Sequence, residues 1–247
     1  RKLLKRSLAG VLTACLIVPA GLTAISVKAA GTELENSKEL ELSFENNVDD
    51  TSGKNTITMH GTANYVEGKK GQALLLNENG SKNYLSLGKS VSLQPEKLTI
   101  AFWIKASGTL NGEHIIMWNT ADGNHLGDGF YLTTDNTIPL KLSVGNDYGG
   151  VTAAGDRAEF FPADEWVHIV VTYDSATKTG AIYRNGVACE LSQASSNVMT
   201  SNANDEKYIG FNGPVYGGSY AQVALDEFEL YSAVATAEQV KAMYADY

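Results

Sequence analysis

Apolar and polar positions alternate with a period of two through most of the chain beyond residue 38, and that period predicts strands. Leu40, Leu42 and Phe44 alternate with Glu39, Glu41 and Ser43, so 39–44 reads as a half-buried strand. Over 98–106, Leu98, Ile100, Phe102 and Ile104 share one face, with Thr99, Trp103 and Lys105 on the other. The run 166–173 (WVHIVVTY) is apolar on both parities, which places it centrally, covered on both faces. Trp103 and Trp166 lie within these strong strands and are expected in the core. Strands over 179–184 and 187–191 flank Asn185-Gly186, a pair that favours a two-residue hairpin. Shorter strands are expected around 63–65, 73–76, 84–87, 114–118, 129–133, 140–144 and 207–211.

The chain closes on 223–231 (VALDEFELY) and a short helix. Simple alternation puts Ala224, Asp226, Phe228 and Leu230 on one face, toward a core, with Glu227, Glu229 and Tyr231 on the other. A carboxylate on a core face is costly unless it is paired, hydrogen-bonded or bound to a metal. Thr236 and Gln239 form a capping box, and Val240, Met243 and Tyr244 make the apolar face of the helix behind it. A dozen or so short strands and one helix, without βαβ alternation, imply an all-β protein. The expected architecture is a two-sheet antiparallel sandwich over 39–247, its first and last strands side by side, after a flexible polar leader at 30–38.

The first thirty residues change the picture of where the chain works. Arg1, Lys2, Lys5 and Arg6 precede an apolar run, and Val27-Lys28-Ala29 resembles a cleavage site, so 1–29 reads as a signal peptide. A lipobox at Leu12–Cys15, lipidating Cys15, and an uncleaved anchor stay open as alternatives. The whole chain has a net charge of −9; five of its positive charges lie in 1–29, which leaves −14 for the remainder. Such an acidic surface argues against nucleic acid and anionic membranes and suits neutral glycans and divalent cations. Cys189 is the one cysteine beyond residue 30, so no internal disulfide is expected there.

Five stretches, in order, resemble the laminin-G-like jelly roll of the concanavalin A-like lectin/glucanase superfamily. They are LSFENNVDDTSGKN, VEGKKGQALLLNENGSKNYLSLG, LTIAFWIKA, WVHIVVTYDSATKTGAIYRNG and LDEFELYSAVATAEQVKAMY. The resemblance implies the fold but not an activity, because this fold carries lectins, adhesion modules and hydrolases alike. It also implies a structural calcium, with Asp50 and Asp226 as carboxylate ligands and Gly53 and Asn55 lending carbonyl oxygens. Two alternatives remain: Asp49 in place of Asp50, and an Asp226 that only accepts backbone N–H bonds.

Catalytic chemistry finds little support. Catalytic relatives carry acids alternating on one strand face, as E-x-D-x-E, whereas the acids of Asp226-Glu227-Phe228-Glu229 fall on both parities. His60, His114 and His125 lack zinc-site spacing, and His168 reads as a satisfied sheet histidine. Sugar recognition needs aromatic rings beside amides and carboxylates. The candidates are Trp118, Asn119, Asp122 and Asn124 in one loop, Tyr148 in a second and Tyr216 in a third. The same residues could simply make strand ends and turns. The expected function is a secreted, bacterial, calcium-stabilised lectin-like module that binds a glycan or polysaccharide without catalysis. A protein-binding adhesion module at the cell surface is the first alternative, and a glycoside hydrolase the second.

Overall fold

The computed structural model describes residues 31–108, 110–120, 128–145, 147–195, 197–201, 203–214 and 218–247; the side chains of Thr120, Asp147 and Tyr148 are not among those described. The segment 1–29 read as a signal peptide, with Cys15, therefore lies outside the described residues, as do Asp122, Asn124, His125 and Tyr216. Among the described residues, no helix is long and apolar enough to cross a membrane.

Two antiparallel sheets face each other across one core. The first runs β13 (Val187–Ala188), β12 (Thr179–Arg184), β11 (Trp166–Asp174), β6 (Lys97–Ala106), β16 (Val223–Tyr231), β4 (Gln72–Leu76) and β3 (Asn64–Glu67). Strand β1 (Lys38–Leu42) also pairs with β16. The second runs β14 (Leu191–Gln193), β10 (Asp147–Ala153), β9 (Lys141–Val144), β8 (Gly129–Thr134), β7 (His114–Thr120), β15 (Tyr208–Ile209), β5 (Tyr84–Ser86) and β2 (Thr58–His60). Alternation explains the filling between them: Leu98, Ile100, Phe102 and Ile104 of β6 meet Leu85, Phe130, Leu132 and Leu142 from the second sheet.

Central β11 is covered on both faces. Val167, Ile169 and Val171 enter the main core, while Val170 packs beneath the C-terminal helix α3 (Ala237–Ala245), which follows the one-turn helix α2 (Arg157–Phe160) in the chain, with Tyr231 and Val240. The capping box at Thr236 and Gln239 is formed. The first and last strands pair, with Leu40 opposite Leu230. The β12–β13 hairpin turns on Asn185 and Gly186, at φ of 50° and 76°, the positive values that such a turn requires.

Four readings are corrected. The segment taken as a flexible leader is helical over 31–36 (α1), because Leu34 finds an apolar seat beside Val170, Tyr231 and Val240. The strand expected over 187–191 is two: β13 in the first sheet and β14 in the second, with half-buried Cys189 at the crossing. Trp103 is buried as expected, under α3, but Trp166, on the same outer face of the first sheet, is only half-buried, with the Lys105 ammonium 4.9 Å from its ring centroid.

The last strand carries the fourth correction. Leu225, Phe228 and Leu230 point into the core, but Ala224 packs outside with Ala73 and Leu75, and Asp226 pairs across the sheet with Trp103. A bulge between Asp226 and Glu229 reverses the parity, with Glu227 at φ 47°. Here β16 also changes neighbour: Val223–Leu225 pair with β4, and Phe228–Tyr231 with β1.

Candidate functional site

Asp226 fills the gap left by that change of neighbour. It is fully buried, and its carboxylate accepts the N–H groups of Lys69 at 2.7 Å, Lys70 at 3.0 Å and Glu227 at 2.9 Å. The β3–β4 turn can lie this close because residue 68 is glycine: a Cβ there would stand 2.6 Å from Oδ2 of Asp226. Burial pushes the Asp226 pKa up to about 6, against the pull of these amides.

Asp50 is held separately. Oδ1 accepts the N–H groups of Glu41 and Ser52, and Oδ2 accepts the Ser52 hydroxyl and both the backbone and side-chain N–H of Asn55. Burial alone would raise its pKa; these donors outweigh burial and lower it. Gly53 closes the turn, donating its N–H to the Asp50 carbonyl. Asn55 Oδ1 is buried without a partner.

This donor set does not suit calcium. The ion needs about six to eight oxygens with free lone pairs, and both carboxylates already face N–H or O–H donors. Asp50 and Asp226 share no hydrogen-bonding partner, and one spare amide oxygen on Asn55 is not a cage. Among the described residues, no group of three or more His, Cys, Asp or Glu side chains is placed to hold a metal ion.

The expected sugar-binding residues separate. Trp118 is on β7, not in a loop, and is 3% exposed on the outer face of the second sheet, opposite Tyr131 and Tyr208. Asn119 points the other way and is fully buried. Its side chain donates to the Leu93 carbonyl, and its own carbonyl accepts from Gln94, so it ties the 91–94 turn to the sandwich. Asn119 is therefore a structural residue, a correction that follows from its inward parity. Tyr148 lies in β10.

Sequence reasoning missed the aromatic row beside Trp118. His60 of β2 stacks on Tyr84 of β5 at 4.5 Å between centroids, Tyr84 lies tilted against Phe211 at 4.3 Å, and Phe211 stacks on Tyr220 at 4.9 Å. Tyr208 of β15 stands edge-on to Tyr84 and Phe211. His60, Tyr84, Tyr208 and Tyr220 are all half-exposed. A signal was present: Tyr84 and Tyr208 each precede a core residue, Leu85 and Ile209, and so take the outward parity.

A laminin G family model of the concanavalin A-like lectin/glucanases superfamily matches residues 79–241. The chain belongs to this superfamily. No curated protein matches the sequence. Among solved structures, the chain is similar to the binding domain of Paraclostridial Mosquitocidal Protein 1, with a TM-score of 0.66 and 17% identity, covering 86% of this chain and 53% of that one. It is similar to domain 4 of AbnA, a GH43 extracellular arabinanase from Geobacillus stearothermophilus solved with arabinotriose: TM-score 0.61, 19% identity, 84% of this chain and 98% of that one. A botulinum neurotoxin serotype D ligand binding domain in complex with N-acetylneuraminic acid gives a TM-score of 0.64 at 17% identity, over 88% of this chain and 52% of that one. At these identities the likeness carries the fold of the concanavalin A-like jelly roll. The chain spans about half the length of the toxin domains and nearly all of the arabinanase domain.

Proposed function

We propose that this protein is a non-catalytic carbohydrate-binding module acting outside the cell, and that the aromatic row on the outer face of the second sheet is its recognition surface. The observation that carries this reading is the half-exposed set His60, Tyr84, Tyr208 and Tyr220 gathered on adjoining strands and one loop. Rings offer apolar surface to sugar C–H groups, and tyrosine hydroxyls bond sugar hydroxyls. Support comes from the arabinotriose and N-acetylneuraminic acid complexes of the similar domains.

The acids of the last strand are engaged in holding the fold. Asp226 binds backbone amides, Glu227 accepts from Tyr247 and pairs with Lys70, and Glu229 accepts from Lys38 and Tyr231. In this reading the sandwich is closed by backbone amides on Asp226, without a metal.

A glycan array with the wild type and a Tyr84→Ala/Tyr208→Ala double variant tests the proposal. Retention of one polysaccharide class, lost in the double variant while the far-UV spectrum is kept, is the expected result. Retention of no glycan, together with recovery of a protein partner, would replace it with the adhesion reading; a similar toxin domain was solved with rat synaptotagmin II.

A further inference from the structure

The outer face of the first sheet carries a groove at the end where β4 and β6 finish and β11 begins. Trp166, Lys105, Ala224 and Leu75 are successive cross-strand partners on β11, β6, β16 and β4. Alternation turns all four away from the core, which takes their neighbours Val167, Ile104, Leu225 and Leu74. Ala224 is the low point of this row, a single methyl between the longer side chains of Lys105 and Leu75. The space above it measures about 190 Å³, with an apolar floor of Ala224, Leu75 and Val66.

The rim is polar. Glu78 stands just after β4, Lys105 and Ser107 at the end of β6, and Asp164 just before β11. Three strand spacings of ~4.8 Å separate β4 from β11, so the two carboxylates belong to opposite banks about 14 Å apart, with the ammonium between them. Among the described residues, Lys105 forms no ion pair with either acid. Its contact with the Trp166 ring holds the ammonium in place and still leaves N–H donors for an oxygen acceptor. Asp164 Oδ1 accepts the Gly108 N–H at 3.2 Å. Among the described residues, the Asp164 Oδ2, the Glu78 carboxylate and the Ser107 hydroxyl have no protein partner.

These groups select a ligand by charge and by size. A cation would face Lys105 and an anion would face two carboxylates, so the rim favours a neutral molecule that both donates and accepts hydrogen bonds. Sugar hydroxyls do both, and the C–H face of a sugar suits the apolar floor. The volume equals about six waters at ~30 Å³ each, the space of one pyranose and not of a chain.

We propose that this groove binds one neutral hexose unit, its hydroxyls reaching Lys105 and the carboxylates of Glu78 and Asp164, its C–H face over Ala224. The groove and the aromatic row lie on opposite sheets, so each reading can fail while the other stands.

The test is a titration of the full chain, followed by amide NMR, with glucose, galactose and mannose. Glucuronate, glucosamine and leucine serve as anionic, cationic and zwitterionic probes, at about pH 6.5 so that the amines are charged. At least one neutral hexose is expected to saturate in the millimolar range and to move the Lys105, Ser107 and Ala224 signals. The three charged probes should bind about fivefold more weakly than that hexose. Glu78→Gln/Asp164→Asn, at two exposed positions, keeps the shape of the rim and should weaken the hexose about fivefold. Lys105→Met keeps an apolar stem beside Trp166, removes the ammonium and should weaken it by about the same factor. Tyr84→Ala/Tyr208→Ala should leave this binding unchanged. Four outcomes overturn the proposal: no saturation by about 50 mM of any neutral hexose, a charged probe binding as tightly, indifference to the rim substitutions, or loss of binding in the Tyr84→Ala/Tyr208→Ala variant.

Discussion

Asp226 and Phe228 lie on opposite faces of β16 although they are two residues apart. The bulge at Glu227 is the cause, and it turns an acid that would have been trapped in the core into a clasp for the β3–β4 turn. Asp226→Ala strands the Lys69 and Lys70 amides and should cost about 2–4 kcal/mol. Asp226→Asn keeps an acceptor and should cost about half of that. Urea unfolding of the two variants gives both values.

The same clasp predicts the response to chelation. With both carboxylates occupied by donors, excess EDTA should leave the wild-type unfolding midpoint unchanged, and added calcium should not raise it. A chelator-sensitive midpoint would return calcium to the Asp50 loop.

Acid should weaken the module through His168. Its folded pKa, about 4, is below its ordinary value of 6.5, so between these values the unfolded chain holds the extra proton. The stability this gives is full above about pH 6.5 and is lost as pH falls toward 4, at most about 3 kcal/mol. Asp226 runs oppositely: its raised pKa gives stability that is full below 3.8 and lost as pH rises through 6. His168→Gln should therefore leave a protein that melts higher, relative to its own pH 7 value, at pH 4.5 than the wild type does.

Lys38 bridges Glu35, Glu41 and Glu229 at 3.1, 2.8 and 2.8 Å. Glu229 is largely covered; burial raises its pKa, with Lys38 opposing. Lys38→Met should cost about 2 kcal/mol, a reduced figure because water reaches part of the pair. Adding Glu229→Gln should recover much of the loss. A double-mutant cycle measures that coupling.

Asn119→Ala leaves the Leu93 carbonyl unanswered inside the protein and should cost about 1–3 kcal/mol. Glycan affinity should not change, since the side chain does not reach the surface.

Much of the fold was legible because it rests on local patterns. The two-residue period gave β6 and β11, Asn185-Gly186 gave the hairpin, and Thr236 with Gln239 gave the start of α3. What misled was one inserted residue: alternation assumes an unbroken ladder, and a single positive φ at Glu227 inverts every assignment upstream of it. The site was legible only in part. Trp118 fell in the expected strand at 114–118, but the loop reading hid how deeply the sheet covers it. Asn119 looked like a loop amide because its partners, Leu93 and Gln94, are remote in sequence. Tyr84, Tyr208 and Tyr220 matter as a group, and only the pairing of β2, β5 and β15 brings them together.

The pairing of β1 with β16 sets the timing of assembly. Lys38 and Glu229 are 191 residues apart, so this edge closes only after almost the whole chain has collapsed. Leu40 and Leu42 of β1 have no partner strand until β16 follows. Until β16 is in place, β1 is therefore an unpaired apolar edge, the kind of edge that chaperones cover.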